Sequence, residues 1–220
     1  VRSDGSSKFG ADNRWGFFPS IAVGWRISEE EFFPKGIALN NLKLRASWGR
    51  LGNENALGYY DFLALISTYN TKYQGYVKGN GDNAWAGSIA RGLENRSLKW
   101  ETTDTKNIGL DFGFFNQRLT ISPEFYINRS SNLLLNAKLP TSSGYNSMVI
   151  NAGETENKGI DLTINSTNIT NKNFTWNTSI TLSHNKNSVK KLTGEDVQLW
   201  EANFGYSQNT HIIGVNQPLG

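Results

Sequence analysis

The chain has no cysteine among its 220 residues, so disulfides, thiol nucleophiles and thiolate metal ligands are all excluded. That absence fits a protein that crosses an oxidising periplasm without bridges. Histidine occurs only twice, as His184 and His211. Neither has a Ser/Asp or metal-ligand partner at a useful spacing, so both read as surface histidines and no catalytic or metal-binding residue is assigned. No run of about 18 apolar residues exists, which excludes a transmembrane helix. No signal peptide is visible. Lys and Arg number 22 against 19 Asp and Glu, a net charge of +3, and no basic cluster forms, so nucleic acid is not expected as a partner. Charged residues at 19% and hydrophobic residues at 37% are both low for a globular domain.

Asn, Ser, Thr and Gly fill the gap, with 22 Gly and 12% aromatics. Many rings and small polar groups oppose disorder, which wants few aromatics and high net charge. They suit strands with one apolar and one polar face, and the order of residues bears this out. From Phe174, one face carries Trp176, Thr178, Ile180 and Leu182, and the other carries Thr175, Asn177, Ser179, Thr181 and Ser183. The same period of two recurs from Lys106 (Ile108, Leu110, Phe112, Phe114), from Arg118 (Leu119, Ile121, Phe125, Ile127) and from Lys158 (Ile160, Leu162, Ile164). It recurs again from Phe18 (Ile21, Val23, Trp25, Ile27) and from Asn41 (Leu42, Leu44, Ala46, Trp48).

A soluble antiparallel sandwich also alternates, and a secreted glycan-binding or adhesin sandwich is the alternative reading. Three features favour an antiparallel up-and-down transmembrane β-barrel. The polar faces carry Arg26, Lys43, Arg45, Asp111, Glu124 and Asp161, as a wet lumen would. Aromatics (Trp25, Phe114, Phe174, Trp176) sit near strand ends, as an interfacial girdle would. The segments are also long: Leu98 to Phe115 reads as one element, against a usual strand of about 5–6 residues. Pro123 conflicts with a central strand, since it cannot donate to the ladder, and predicts a bulge or a sheet edge.

Connections alternate in length. Phe115 to Arg118, Thr167 to Asn173 and Ser28 to Asn40 form one end, with a helical turn expected over Glu29 to Phe33. Gly52 to Ser97, Asn136 to Ser147 and everything after Leu192 form the other. Short periplasmic turns and long extracellular loops are the outer-membrane layout. The segment Gly52 to Ser97 is too long to be structureless, and a hairpin is expected around Tyr59 to Tyr69.

Asp111 and Asp161 would suit a glycosidase only as a converging pair, whereas the alternation puts them on lumen-facing positions of separate strands. Asn80-Gly81-Asp82-Asn83 is oxygen-rich but lacks the spacing and closing Glu of a calcium loop, and reads as a tight turn. The binding candidates are the aromatics of the long outer segment: Tyr59, Tyr60, Tyr69, Tyr73, Tyr76 and Trp85, with Phe62 among them. Amphipathic rings suit capture of sugars or peptides, and equally suit packing the loop onto itself or onto a partner.

Several stretches carry a family resemblance. Arg2 to Gly10 with Asn13-Arg14-Trp15-Gly16-Phe17-Phe18-Pro19-Ser20, and Gly24-Trp25-Arg26-Ile27-Ser28-Glu29-Glu30-Glu31-Phe32, are followed in order by Leu42 to Gly49 with Gly52-Asn53. Leu98-Lys99-Trp100-Glu101-Thr102-Thr103 with Asn107 to Asp111 is the most specific, and Asn151-Ala152-Gly153, Asn157 to Leu162 and Gln217-Pro218-Leu219-Gly220 complete the set. This ordered set resembles the barrel of SusC/RagA-type TonB-dependent transporters. The resemblance implies residence in the outer membrane in contact with its lipid, nutrient import rather than catalysis, and no cofactor. It implies a SusD-like surface lipoprotein partner, energy from the TonB–ExbB–ExbD complex through a part of the protein not seen here, and oligosaccharides or peptides as substrates. The family's barrels are of the plugged, about 22-stranded class. Residues 1–220 are accordingly expected to be a partial barrel of roughly six full strands, a fragment that lacks plug and closing strands.

Overall fold

The computed structural model describes the chain apart from residues 37, 70–75, 78–83, 86, 91, 146, 193–196, 202–208 and 220. A hairpin of β1 (Arg2–Gly5) and β2 (Trp15–Phe18) leads through Pro19 into β3 (Ser20–Arg26), and β4 (Leu39–Asn53) returns. Two nested hairpins follow, β5 (Ile66–Tyr69) with β8 (Gly87–Ala90), enclosing β6 (Tyr76–Val77) with β7 (Ala84–Trp85). Then come β9 (Glu101–Phe114), β10 (Leu119–Ser131), the hairpin of β11 (Leu134–Lys138) and β12 (Ser147–Asn151), β13 (Glu154–Thr170), β14 (Thr175–Lys191), and the hairpin of β15 (Val197–Glu201) and β16 (Asn209–Gly214). All the recorded pairings are antiparallel, and the main sheet has the order β14-β13-β10-β9-β4-β3. Its longest members, β13 and β14, run 17 residues each.

The period of two becomes physical in the register. Side chains sharing a face line up in rows across the sheet. One apolar row runs Val23, Ala46, Ile108, Phe125 and Ile160; the next runs Trp25, Leu44, Leu110, Pro123, Leu162 and Leu182. These side chains stand open: Phe125 is 56% exposed and Leu182 58%. No second sheet covers this face among the described residues. A sandwich would bury it, because two sheets packed face to face interdigitate their apolar side chains.

The short-turn end carries an aromatic rim, with Trp25 6.3 Å from Phe32 and Phe114 6.4 Å from both Phe112 and Phe115. The turn after β9 holds Phe115, Asn116 and Gln117 at φ of 53°, 57° and 66°, three successive left-handed residues without a glycine. The neighbouring connection secures it: Phe115 N–H donates to Ala38 O at 2.8 Å and Asn116 N–H to Asn40 Oδ1 at 2.5 Å.

Four expectations need correction. Pro123 sits in a central strand with neither a bulge nor an edge. Its ladder to β9 lapses at Ser122 and Pro123 and resumes at Glu124 in the same register, so one missing donor is absorbed locally. The helical turn lies at Ile27–Glu29, as a 3-10 turn, rather than over Glu29 to Phe33. The long loop's hairpin spans Ile66 to Ala90 rather than Tyr59 to Tyr69. Strand β9 starts at Glu101 rather than Leu98, because Leu98 and Trp100 are drawn into a small core above the sheet.

Candidate functional site: the polar wall and the base of the outer loops

The polar face of the sheet is organised around Arg45. One row across it reads Gly24, Arg45, Gly109, Glu124, Asp161 and Ser183. Gly109 leaves a gap that the guanidinium fills: a Cβ there would lie 2.8 Å from Arg45 Nη2. Through that gap Arg45 passes over β9 and reaches two carboxylates. Nε and Nη2 donate to Asp111 at 2.9 and 3.2 Å, and Nη2 also donates to Glu124 at 3.1 Å. The Asn107 amide donates to the other Glu124 oxygen, and the Ser183 hydroxyl donates to Asp161. Thr103 and Ser130 join hydroxyls at 2.8 Å, and Ser179 donates to Asn165 at 2.7 Å.

This wall is polar and half-buried, with its acids gathered around and beyond Arg45. One Arg holds Asp111 and Glu124, while Asp161, directly opposite Glu124, has a hydroxyl and no cation within 4.0 Å among the described residues. Asp111 and Asp161 do share a face, but β10 separates them and Asp111 has both oxygens occupied by Arg45. They do not form the converging pair that glycoside hydrolysis needs. No group of three metal-ligating side chains occurs among the described residues.

Above the sheet, at the long-loop end, Phe9, Leu57, Leu98 and Leu134 form a closed core joined by Phe62, Trp100 and Val149. Phe9 and Leu98 are 0% exposed. Trp100 packs its ring 5.0 Å from Phe9 and 5.5 Å from Phe18. Phe18 in turn needs Gly52, where a Cβ would come within 2.0 Å of its ring. Carboxamides tie the segments together. Asn151 accepts from Lys99 N–H at 2.8 Å and donates to Lys99 O at 2.7 Å and Asn132 O at 3.0 Å. Asn95 donates to Val149 O at 2.9 Å and accepts from Ser97. Glu101 accepts from Asn53 Nδ2 and from Leu134 N–H.

The candidate aromatics divide on this base. Tyr59 is 73% exposed with the Lys8 ammonium 5.6 Å from its ring centre, and Tyr60 is also exposed, with φ 73°. Phe62 turns inward and packs against the core. Tyr69, Tyr76 and Trp85 lie in β5, β6 and β7, while Tyr73 and the Asn80 to Asn83 turn fall outside the described residues. Sequence reasoning did not single out Phe9, Phe18, Gly52, Trp100 or Asn151 as keystones of this base. The only signal was their place inside the stretches that carry the family resemblance.

A family model described as "TonB dependent receptor-like, beta-barrel" matches residues 1–216. The chain belongs to that family. Among its relatives, the TonB-dependent receptor SusC of Bacteroides thetaiotaomicron is 42% identical over 197 residues, which are 89% of this chain and 19% of SusC. The TonB-dependent receptor P3 of Formosa agariphila is 37% identical over 222 residues, 100% of this chain and 21% of the relative. The RagAB peptide transporter structure superposes with a TM-score of 0.82 at 28% identity, covering 98% of this chain and 22% of the solved one. The chain thus spans about a fifth of the length of the curated relatives it matches.

As a SusC/RagA-type TonB-dependent receptor barrel, it belongs in the outer membrane, and its relatives are receptors and transporters rather than enzymes. The two faces of the sheet then acquire meanings. The open apolar face meets lipid, and the Arg45 face looks into the barrel.

Proposed function

We propose that this chain forms one sector of the wall of an outer-membrane importer that takes up oligosaccharides or peptides by TonB-dependent transport, in company with a SusD-like surface lipoprotein. The observation that carries the reading is the two-faced sheet: an uncovered apolar face on one side and, on the other, a polar row running from Arg45 to Ser183. A wall of this kind does no chemistry. It excludes lipid and offers hydrogen-bonding groups to whatever occupies the lumen. Asp161, left without a cation, suits pairing with Arg or Lys of a plug in the whole protein. Energy relayed by TonB–ExbB–ExbD from the inner membrane would move that plug. The relatives support the class, SusC on one side and a peptide transporter on the other.

At the outer end, Tyr59 and Tyr60 are the foremost substrate contacts, because they project from a base whose own core is already filled by Phe62 and its neighbours. Tyr69, Tyr73, Tyr76 and Trp85, farther along the same long segment of the sequence, are the remaining candidates. Rings of this kind bury area on a sugar or peptide while keeping a hydrogen-bonding tip.

Affinity purification of the full-length parent from detergent-solubilised outer membrane, with mass spectrometry of what accompanies it, tests the reading. A stoichiometric lipoprotein supports the lidded importer. A parent recovered alone would remove the lid, and a parent in the soluble fraction would remove the membrane reading altogether.

A further inference from the structure

The row of outward-facing residues at the long-loop edge of the apolar belt differs from every row below it. It reads Ile21, Trp48, Lys106, Ile127, Lys158 and Lys186. Three of its members are lysines, all exposed. Lys158 and Lys186 are direct cross-strand partners, and Lys106 follows one strand beyond, with Ile127 between. Like charges placed directly opposite one another destabilise a sheet unless something neutralises them.

Nothing among the described residues does so. Among the described residues, no carboxylate lies within 4.0 Å of these three ammonium groups. The nearest outward carboxylates, one and two rows higher, are already taken. Arg50 holds Asp104 at 2.9 Å, Lys190 holds Glu156 at 3.2 Å, and Arg129 pairs with Glu154. The higher rows are therefore charge-balanced, and the lysine row alone is purely cationic.

Its depth is also distinctive. Along β9, Lys106 stands eight residues from Phe114 at the aromatic rim, about 26 Å along the strand at roughly 3.3 Å per residue. That is close to the apolar band of about 25 Å in such barrels, so the row marks the band's upper limit. Trp48 in the same row is the side chain expected at a membrane interface. Lysine stems can lie along the apolar surface while their ammonium groups reach up to the head-group level.

We infer that Lys106, Lys158 and Lys186 form a binding site for the phosphorylated head group of a lipid in the outer leaflet, whose acyl chains lie on Phe125, Ile160 and the rows below. The phosphate would supply the negative charge that the sheet omits, accepting charge-assisted hydrogen bonds from neighbouring ammonium groups. The inference rests on the barrel placement but not on transport or on any lid partner.

The test uses the full-length parent purified in mild detergent, with retained lipid measured by phosphorus content and native mass spectrometry. The triple variant Lys106→Gln, Lys158→Gln and Lys186→Gln is expected to retain severalfold less phosphorylated lipid per barrel. The corresponding triple Arg variant and Lys172→Gln, at the short-turn end, should retain it as the wild type does. Heat-modifiable gel mobility reports whether each barrel is folded. Should the triple Gln variant fail to assemble, the wild type and Lys158→Gln are compared in nanodiscs of phosphatidylglycerol and of phosphatidylcholine. The wild type should then unfold at a higher temperature in the anionic lipid, by a margin that shrinks in the variant. Wild-type lipid content in the triple Gln variant, or an equal loss in Lys172→Gln, would overturn the inference. Because lipid is read without transport, a parent that imports nothing leaves the inference standing if the Gln variant still loses lipid.

Discussion

The side chain of Asn151 grips the main chain of Lys99 at both ends, accepting from its N–H at 2.8 Å and donating to its carbonyl at 2.7 Å. A third bond, to Asn132 O, joins the start of the β11–β12 hairpin to the same point. The carboxamide thereby substitutes for one rung of a ladder between segments 52 residues apart. Asn151→Ala removes three hydrogen bonds of about 1 kcal/mol each, so the loop base should lose about 2–3 kcal/mol while the barrel still inserts. Limited proteolysis on intact cells checks this: the long loop should be cut faster at unchanged barrel abundance. Asn151→Asp keeps the acceptor and loses both donations, and should fall between.

Gly52 and Phe18 are matched by shape. A methyl group at Gly52 would come within 2.0 Å of the Phe18 ring, which is buried and packs edge-on against Trp100. Gly52→Ala should destabilise the parent by about 1–3 kcal/mol through overpacking. Gly52→Ala combined with Phe18→Leu should be less harmful than the sum of the two single changes, since neighbours in contact do not add. Denaturant midpoints of the refolded parent measure both.

Arg45 is the sole cation within 4.0 Å of both Asp111 and Glu124 among the described residues. Arg45→Met leaves two carboxylates without a counter-charge and should cost more than Asp111→Asn, which leaves Arg45 its second partner. The site is partly exposed, so the expected loss is about 1–2 kcal/mol, well under the figure for a fully buried pair. The comparison of the two unfolding midpoints is the check, and equal losses would contradict the network.

Tyr59 tests the aromatic surface. Tyr59→Ala removes an exposed ring that supports no core, so barrel abundance and stability should stay unchanged. If Tyr59 meets substrate, the concentration for half-maximal uptake of the transported oligosaccharide or peptide should rise severalfold. Phe62→Ala should act the other way, lowering the resistance of the loop to proteolysis, because that ring belongs to the core.

How much of this was legible in the residues differs from one element to another. The two faces of β9, β10, β13 and β14 follow from alternation alone, because each side chain's face is fixed by its parity. The partners of Arg45 are not legible in that way. Asp111 and Glu124 lie 66 and 79 residues away, and only the register brings them under one guanidinium. The lysine row is hidden for the same reason, since Lys106, Lys158 and Lys186 are unremarkable until three strands align. Proline's missing N–H predicts a bulge or a sheet edge at Pro123, but a long ladder holds its register across one missing donor. The hairpin of the long loop was misplaced because Ile66 to Tyr69 pairs with Gly87 to Ala90 across a wide interval, and nothing local in Tyr59 to Tyr69 announces that partner.

The central claim is that from Trp176 to Lys186 the even-numbered residues of β14 face lipid and the odd-numbered ones face the lumen. The stretch contains no native cysteine, so substitutions there report singly in a parent free of other cysteines. Single cysteines are placed from Ser179 to Asn185 in the full-length parent in its membrane, and each is tested with an aqueous maleimide and, as a fluorescent adduct, with brominated lipid. Positions 180, 182 and 184 should resist the maleimide and be quenched by the lipid, and positions 179, 181, 183 and 185 should do the reverse. Equal labelling of both sets, with no quenching at Leu182, would contradict the barrel and restore the sandwich.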